Sequence, residues 1–151
     1  MKGERLAGFD EAVLQHAKRI YLQSRPLTDA DRVGQYAYLH HKTILAPACC
    51  LYFLDKKYRL LEAKILYSGV ILPVEDCCSY LSDRIAALQA AHVAVSMTRA
   101  ATGMDRADLD RASRIALFCQ AERISLVDVL WVDEDSYLPL CRYFGTDPYE
   151  E

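Results

Sequence analysis

The side chains best suited to nucleophilic or metal chemistry are six cysteines and four histidines. Four of the cysteines form two vicinal pairs, and no C-x-x-C spacing occurs anywhere in the chain. Vicinal side chains point to opposite faces of a strand, or about 100° apart on a helix, so they make a poor chelate. We therefore expect the cysteines to act as small buried hydrophobic residues. They are Cys49, Cys50, Cys77, Cys78, Cys119 and Cys141.

Among the four histidines, only His40 and His41 are neighbours. On a helix, adjacent imidazoles project in different directions, so we expect one in the core and one at the surface. Asp105, Asp108 and Asp110 cluster where a helix is predicted to begin, and the helix dipole stabilises carboxylates there. Capping is therefore the expected role of these three acids.

Other catalytic arrangements find little support in the sequence. Gly69 and Gly103 are isolated, so no glycine-rich phosphate loop is present. A Ser-His-Asp or Cys-His site cannot be argued from residues so far apart along the chain. The remaining guide to function is the order of the elements that would position these side chains.

The chain is predicted to begin with an amphipathic helix within residues 1–26. Apolar residues recur there at three- and four-residue spacing, with Leu6, Phe9 and Val13 on the apolar face. The Arg-Pro dipeptide at residues 25–26 ends this helix. A second helix with the same spacing follows.

Short apolar runs after these helices predict the strands of a mixed sheet. The runs at residues 48–55 and 59–67 are joined by a charged turn, which predicts an antiparallel hairpin. A third strand at residues 92–97 lies between two further helices, and two strands close the chain. The order α-α-β-β-α-β-α-β-β is typical of an α/β (α+β) domain with a mixed sheet flanked by helices.

Length and composition place the chain among ordinary globular domains. Its 151 residues fit one domain, and a hydrophobic content of 52% excludes intrinsic disorder. No apolar stretch reaches the length of a membrane span or resembles a signal peptide, so we expect a cytoplasmic protein with no membrane contact. The net charge of −3 argues against a nucleic-acid partner.

Five short strings carry a resemblance to a known family: YFLD at 52–55, YRLL at 58–61, YSGV at 67–70, PVE at 73–75 and LVDVLWV at 126–132. Their order and spacing resemble the bacterial RadC-type branch of the JAB/MPN (Mov34/JAMM-like) metalloprotease domains, which have a cytidine-deaminase-like mixed sheet. The resemblance implies a JAB/MPN domain over residues 27–145. The N-terminal helix of residues 1–26 precedes this domain, and an acidic tail of residues 146–151 follows it.

The activity of that family depends on a zinc ion whose expected ligands are missing here. The resemblance implies two histidines in H-x-H-P-x-G, an aspartate in a later S-x-x-D, and a glutamate as general base for the zinc-bound water. The histidine positions carry Met97 and Arg99, and the aspartate position carries Asp110. The glutamate position carries Pro47, and the serine position carries Ala107. We therefore expect no zinc cofactor and no catalysis at this site.

The resemblance then implies a binding role in place of catalysis. Metal-free members of the wider family pair with other proteins, so we expect a catalytically inactive interaction or scaffold module with a protein partner or self-association. Arg99 would supply part of the positive charge that the metal supplies in the family. The expected contact surface comprises Thr98, Arg99 and Asp110 over the vacated site, with Leu6, Phe9 and Val13 on the N-terminal helix.

Two other functions stay open at this point. A metal-dependent peptidase or isopeptidase would use an atypical site around Asp110 and Asp105, with Cys or His ligands brought in by the fold. An association with DNA repair follows from the label attached to RadC-type proteins. Aspartates interleave with the arginines that would form its basic face, and such alternation is typical of a solvated helix face. These arginines are Arg99, Arg106, Arg111, Arg114 and Arg123.

Overall fold

The computed structural model describes residues 26–99 and 104–144. The predicted N-terminal helix with Leu6, Phe9 and Val13, and the acidic tail of residues 146–151, lie outside these residues. Within the described part, the predicted elements occur in the predicted order. They are α1 (Ala30–His41), β1 (Ala48–Leu54), β2 (Leu60–Ser68), α2 (Val74–Leu88), β3 (His92–Thr98), α3 (Arg106–Ala121), β4 (Leu126–Val132), β5 (Tyr137–Pro139) and a 3₁₀ turn (Cys141–Phe144).

A five-stranded sheet in the order β2-β1-β3-β4-β5 forms the centre of the fold. Between β1 and β2, the carboxylate of Asp55 accepts hydrogen bonds from the backbone N–H groups of Lys57 and Arg59, at 2.8 and 2.9 Å. β2 returns antiparallel to β1, which confirms the predicted hairpin. β3 lies antiparallel to β1, and β4 lies parallel to β3 because α3 provides the crossover between them.

The helices cover both faces of this sheet. α1 packs on the face that carries Tyr52 and Leu130, while α2 and α3 pack on the face that carries Phe53 and Val129. All seven residues of β1 are buried, as its continuous apolar sequence predicts for a strand covered on both sides. The predicted class, a mixed sheet flanked by helices, is confirmed at this level.

Aspartate side chains cap the beginnings of two helices. Asp29 accepts a hydrogen bond from the backbone N–H of Arg32 at 2.9 Å and begins α1. Asp105 and Asp108 form a capping box at the start of α3, in which each carboxylate accepts the backbone N–H of the other residue, at 2.9 and 3.0 Å. The predicted capping role of Asp105 and Asp108 is confirmed.

Asp128 on β4 holds the closing segment of the described chain. Its carboxylate accepts backbone N–H groups from Val129 at 2.7 Å and from Leu140 and Cys141 at 3.1 Å. Burial raises the pKa of Asp128, and these hydrogen bonds oppose the rise. The buried carboxylate thereby accepts three backbone N–H groups, and that of Leu140 is shared with the carbonyl oxygen of Val129 at 2.9 Å.

The helices of the described residues are 12, 15 and 16 residues long. Among residues 26–99 and 104–144, no helix combines the length and the apolar composition needed to cross a membrane.

Candidate functional site

The C-terminal end of β3 and the start of α3 form a polar cluster at one end of the sheet. Thr98, the last residue of β3, pairs with Ala48, so Pro47 just before β1 lies at the same end. Arg99 follows directly, and its guanidinium reaches the first turn of α3. The structure thus brings together Pro47, Thr98 and Arg99, three of the residues that the sequence singled out.

Arg99 and Asp108 form a bidentate ion pair in this cluster. The Nε and Nη2 atoms of Arg99 each donate a hydrogen bond of 2.7 Å to the carboxylate of Asp108, and Nη2 lies 3.9 Å from the carboxylate of Asp105. Burial alone would raise the pKa of Asp108, but the hydrogen bonds from Arg99 and Asp105 outweigh it and hold that pKa below its usual value. The hydrogen bonds to Asp108 also raise the pKa of Arg99. Both groups are therefore charged at neutral pH.

The acid that meets Arg99 is Asp108, whereas Asp110 contributes no contact to the pair. Asp108 is 4% exposed, while Asp110 and Ala107 lie exposed on α3. The sequence assigned Asp108 to capping alone, because nothing local to the helix shows that a strand end will approach its first turn. The D-x-x-D spacing of residues 105–108 is the signal that marks the buried member of the cluster.

The residues at this end of the sheet do not suit a zinc ion. Arginine has no lone pair to give and would repel a cation, and both carboxylate oxygens of Asp108 are taken by Arg99. Met97 is 2% exposed and belongs to the apolar core on the α2 and α3 face. In the described part of the chain, no group of three or more His, Cys, Asp or Glu residues is arranged to hold a metal.

A second arginine of this region, Arg111 on α3, lies close to buried thiols and a phenol. Within the described residues, the Nε atom of Arg111 is buried and has no hydrogen-bond partner. Burial raises the pKa of Cys49, Cys77 and Tyr67, to about 11 for Cys77, although the charge of Arg111 acts in the opposite direction. The thiols are therefore protonated at neutral pH and are not activated nucleophiles.

The expected role of the cysteines as buried hydrophobic residues agrees with the structure. All six lie in the described residues and none forms a disulfide; five are buried, and Cys78 is half-buried. The two members of the Cys49–Cys50 pair belong to the cores on opposite faces of the sheet, as the alternation of a strand requires.

A separate polar network lies between α1 and the sheet, on the other face. Ser96 Oγ lies 2.7 Å from both His41 Nε2 and Tyr52 Oη, and Tyr52 Oη lies 3.1 Å from His40 Nδ1. Burial, and then the neighbouring His40, lower the pKa of His41 to about 3, so its imidazole is neutral at pH 7. Within the described residues, His41 Nδ1 has no hydrogen-bond partner.

The direction of the hydrogen bonds in this network follows from the absence of a partner at His41 Nδ1 among the described residues. Donation from His41 Nε2 to Ser96, from Ser96 to Tyr52 and from Tyr52 to His40 leaves His41 Nδ1 as a bare acceptor. The reverse direction would bury an N–H without a partner, which is the rarer and costlier arrangement. Ser96 and Tyr52 are fully buried, so substrate cannot reach this serine and the network is structural.

The sequence expectation for the two histidines was wrong in one respect. His40 and His41 are both buried, at 8% and 9% exposure, instead of one lying at the surface. Both point into the interface between α1 and the sheet because Tyr52 and Ser96 offer polar atoms there. The two strand residues lie 44 positions apart in sequence, so no local pattern reveals their hydroxyl groups as a pair.

Comparison with known proteins does not assign this site. No family model matches the chain, and no curated protein matches it.

Proposed function

We propose that the chain is a catalytically inactive domain of the RadC-type JAB/MPN kind, which acts as a protein-interaction or scaffold module. The observation that carries the proposal is the Arg99–Asp108 ion pair at the end of β3. In the family that the sequence resembles, this strand end supplies histidine ligands to a zinc ion that lowers the pKa of a bound water. A guanidinium in that place offers neither a ligand nor an open coordination position.

The ion pair would hold the strand end and the helix together, as a bound metal does, but it would not activate a water molecule. A metal tied to a strand end and to a helix holds the two together, and the fixed charge of Arg99 does the same through Asp108. The Asp105–Asp108 capping box makes this junction part of the helix itself. The scaffold is therefore preserved while the site that would polarise a peptide bond is replaced.

Exposed apolar side chains near the same end of the sheet support a binding role. Leu45 is 72% exposed and Val70 is 63% exposed, and the side chain of Leu45 lies against Gly69 at the end of β2. Together with Thr98, they extend the contact surface expected from the sequence; Leu6, Phe9 and Val13 of that surface lie outside the described residues. Cysteines without disulfides also suit the reducing cytoplasm that the sequence predicts.

The experiment that tests this function is the zinc content of the protein purified without chelator, paired with a peptidase and isopeptidase assay. We expect far less than one zinc per chain, no cleavage and no change in melting temperature on adding EDTA. Stoichiometric zinc with chelator-sensitive cleavage that Asp110→Ala abolishes would replace the proposal with the atypical metallopeptidase. Asp83→Ala, which removes an exposed acid from α2, is the matched control.

A further inference from the structure

β2 is an edge strand whose outer side has no partner among the described residues. It pairs with β1 alone and stands at the end of the strand order. With nine residues it is longer than the usual five or six, whereas β5 at the opposite edge has three. The outward N–H and C=O groups of such a strand are a template for a further strand.

Part of this edge is apolar and exposed to solvent. Leu61 and Ile65 are 44% and 42% exposed, and β2 has neither proline nor glycine. Bulges opposite Cys49/Cys50 and Phe53/Leu54 leave a regular stretch between them, at residues 62–65. A partner strand could therefore pair with this regular stretch over a short, defined register.

The sequence of this stretch is complementary to itself. If two copies of β2 run antiparallel about a two-fold axis at Ala63, Glu62 of each copy lies opposite Lys64 of the other. Opposite charges stabilise directly opposed strand positions, and a shift by one residue would lose both charge pairs.

The two charges are already held near this edge by contacts within the chain. Glu62 accepts a hydrogen bond of 2.8 Å from Nε of Arg84 on α2, and Nζ of Lys64 lies 5.9 Å from the ring centre of Tyr80 on the same helix. Both side chains therefore lie on the α2 face of the sheet, where a symmetric partner would place its own Lys64 and Glu62. Their orientation costs little further side-chain entropy on association.

We propose that two copies of this chain associate through β2, antiparallel about Ala63, into one continuous ten-stranded sheet. The inference rests on the proposed function in that it names the partner of the interaction module as a second copy. Its physical basis is independent of the Arg99 site, since β2 edge pairing requires neither the presence nor the absence of a metal.

Charge-reversal variants in sedimentation velocity test the register directly. Lys64→Glu places like charges opposite Glu62, and Glu62→Lys places like charges opposite Lys64, so each should weaken the dimer by roughly tenfold or more. An equimolar mixture of the two variants restores both opposite-charge pairs and should dimerise again. Arg106→Glu on α3 makes the same change in net charge as Lys64→Glu but away from this edge, and it should leave the dimer intact.

A crosslink gives a second, geometric readout. Ala63→Cys would place two thiols opposite each other at the two-fold axis, within the Cα separation that a disulfide spans, and should form a covalent dimer on mild oxidation. Leu138→Cys at the β5 edge should not. A monomeric wild-type protein, dimers unaffected by both charge variants, or no gain from mixing them would overturn the inference. Zinc content tests the proposed function separately, so failure of one is distinguishable from failure of the other.

Discussion

At the scale of single residues, Arg99 is the side chain on which the site depends. Its planar guanidinium matches one carboxylate with two parallel hydrogen bonds, which lysine cannot reproduce. Asp108 is both the acceptor of this pair and a member of the capping box of α3. One carboxylate therefore fastens the end of β3 to the beginning of α3.

Removal of the Arg99 guanidinium should show how much the ion pair with Asp108 contributes to the free energy of unfolding. Arg99→Met should lower the free energy of unfolding by about 2 kcal/mol, because Asp108 stays buried without its cation. Arg114→Met removes an exposed ion pair between α3 and Glu75 of α2 and should have a much smaller effect, because water screens that pair. Urea unfolding measures both variants, and equal losses would contradict a special role for Arg99.

His41 should make the stability of the protein depend on pH. Its pKa is about 3 in the folded protein against 6.5 in the unfolded chain, so between these values the unfolded state binds more protons. Its contribution to stability is complete above about pH 6.5 and is lost as the pH falls toward 3. Acidification from about pH 7 to about pH 4 should therefore remove about 3 kcal/mol through this group.

The comparison that isolates His41 is His41→Gln, which keeps a polar group near Ser96 but does not titrate. The urea midpoint of this variant should change much less than that of the wild-type protein over the same pH range. His92→Gln, which changes an imidazole outside the buried network, should keep the wild-type pH dependence. A wild-type slope in His41→Gln would show that other groups cause the acid sensitivity.

At the scale of elements, the position of α1 depends on close contact with β5. A Cβ atom at Gly34 would overlap the ring of Tyr137, and the phenol of Tyr137 donates a hydrogen bond to Asp31 one turn earlier in α1. Glycine is a poor helix residue, so its place inside α1 reflects this contact and not the local preference of the chain.

Gly34→Ala should therefore destabilise the protein in spite of the higher helix propensity of alanine. We expect a loss of about 1–3 kcal/mol from overpacking, against a propensity gain of roughly 1 kcal/mol. Adding Tyr137→Ala removes the obstructing ring, so the alanine at position 34 should be neutral or stabilising in that background. Chemical unfolding of the four members of this double-mutant cycle measures the coupling, and additive effects would exclude the steric contact.

At the scale of the whole molecule, an edge-paired dimer should make stability depend on protein concentration. Only the folded chain forms the dimer, so dimerisation stabilises the folded state. The melting temperature of the protein should therefore rise with protein concentration. Lys64→Glu should show a melting temperature that is nearly independent of concentration, while Arg106→Glu should follow the wild-type protein. Differential scanning calorimetry over a range of protein concentrations makes this measurement.

The order of the elements could be predicted from the sequence because it depends on local patterns. The continuous apolar run of β1, the short turn at Asp55 and the aspartates before α3 act within a few residues, and each feature lies where predicted. The contacts of the candidate site could not be predicted in this way. Arg99 is nine positions before Asp108, and the D-x-x-D spacing that marks Asp108 as a capping residue does not show that an arginine at the end of β3 pairs with it.

The sequence by itself determined the helices and strands, the hairpin and the burial of the cysteines, since apolar spacing and turn chemistry are local properties. Only the tertiary structure decided which charges and hydroxyls meet. His41 and Ser96 are 55 positions apart and touch because β3 lies beside β1 beneath α1. The same strand order leaves β2 at the edge, and there the spacing of Glu62 and Lys64 becomes a surface that can pair with itself. Local sequence patterns specify the helices and strands, whereas a site depends on the order of strands in the sheet, because that order brings distant residues together.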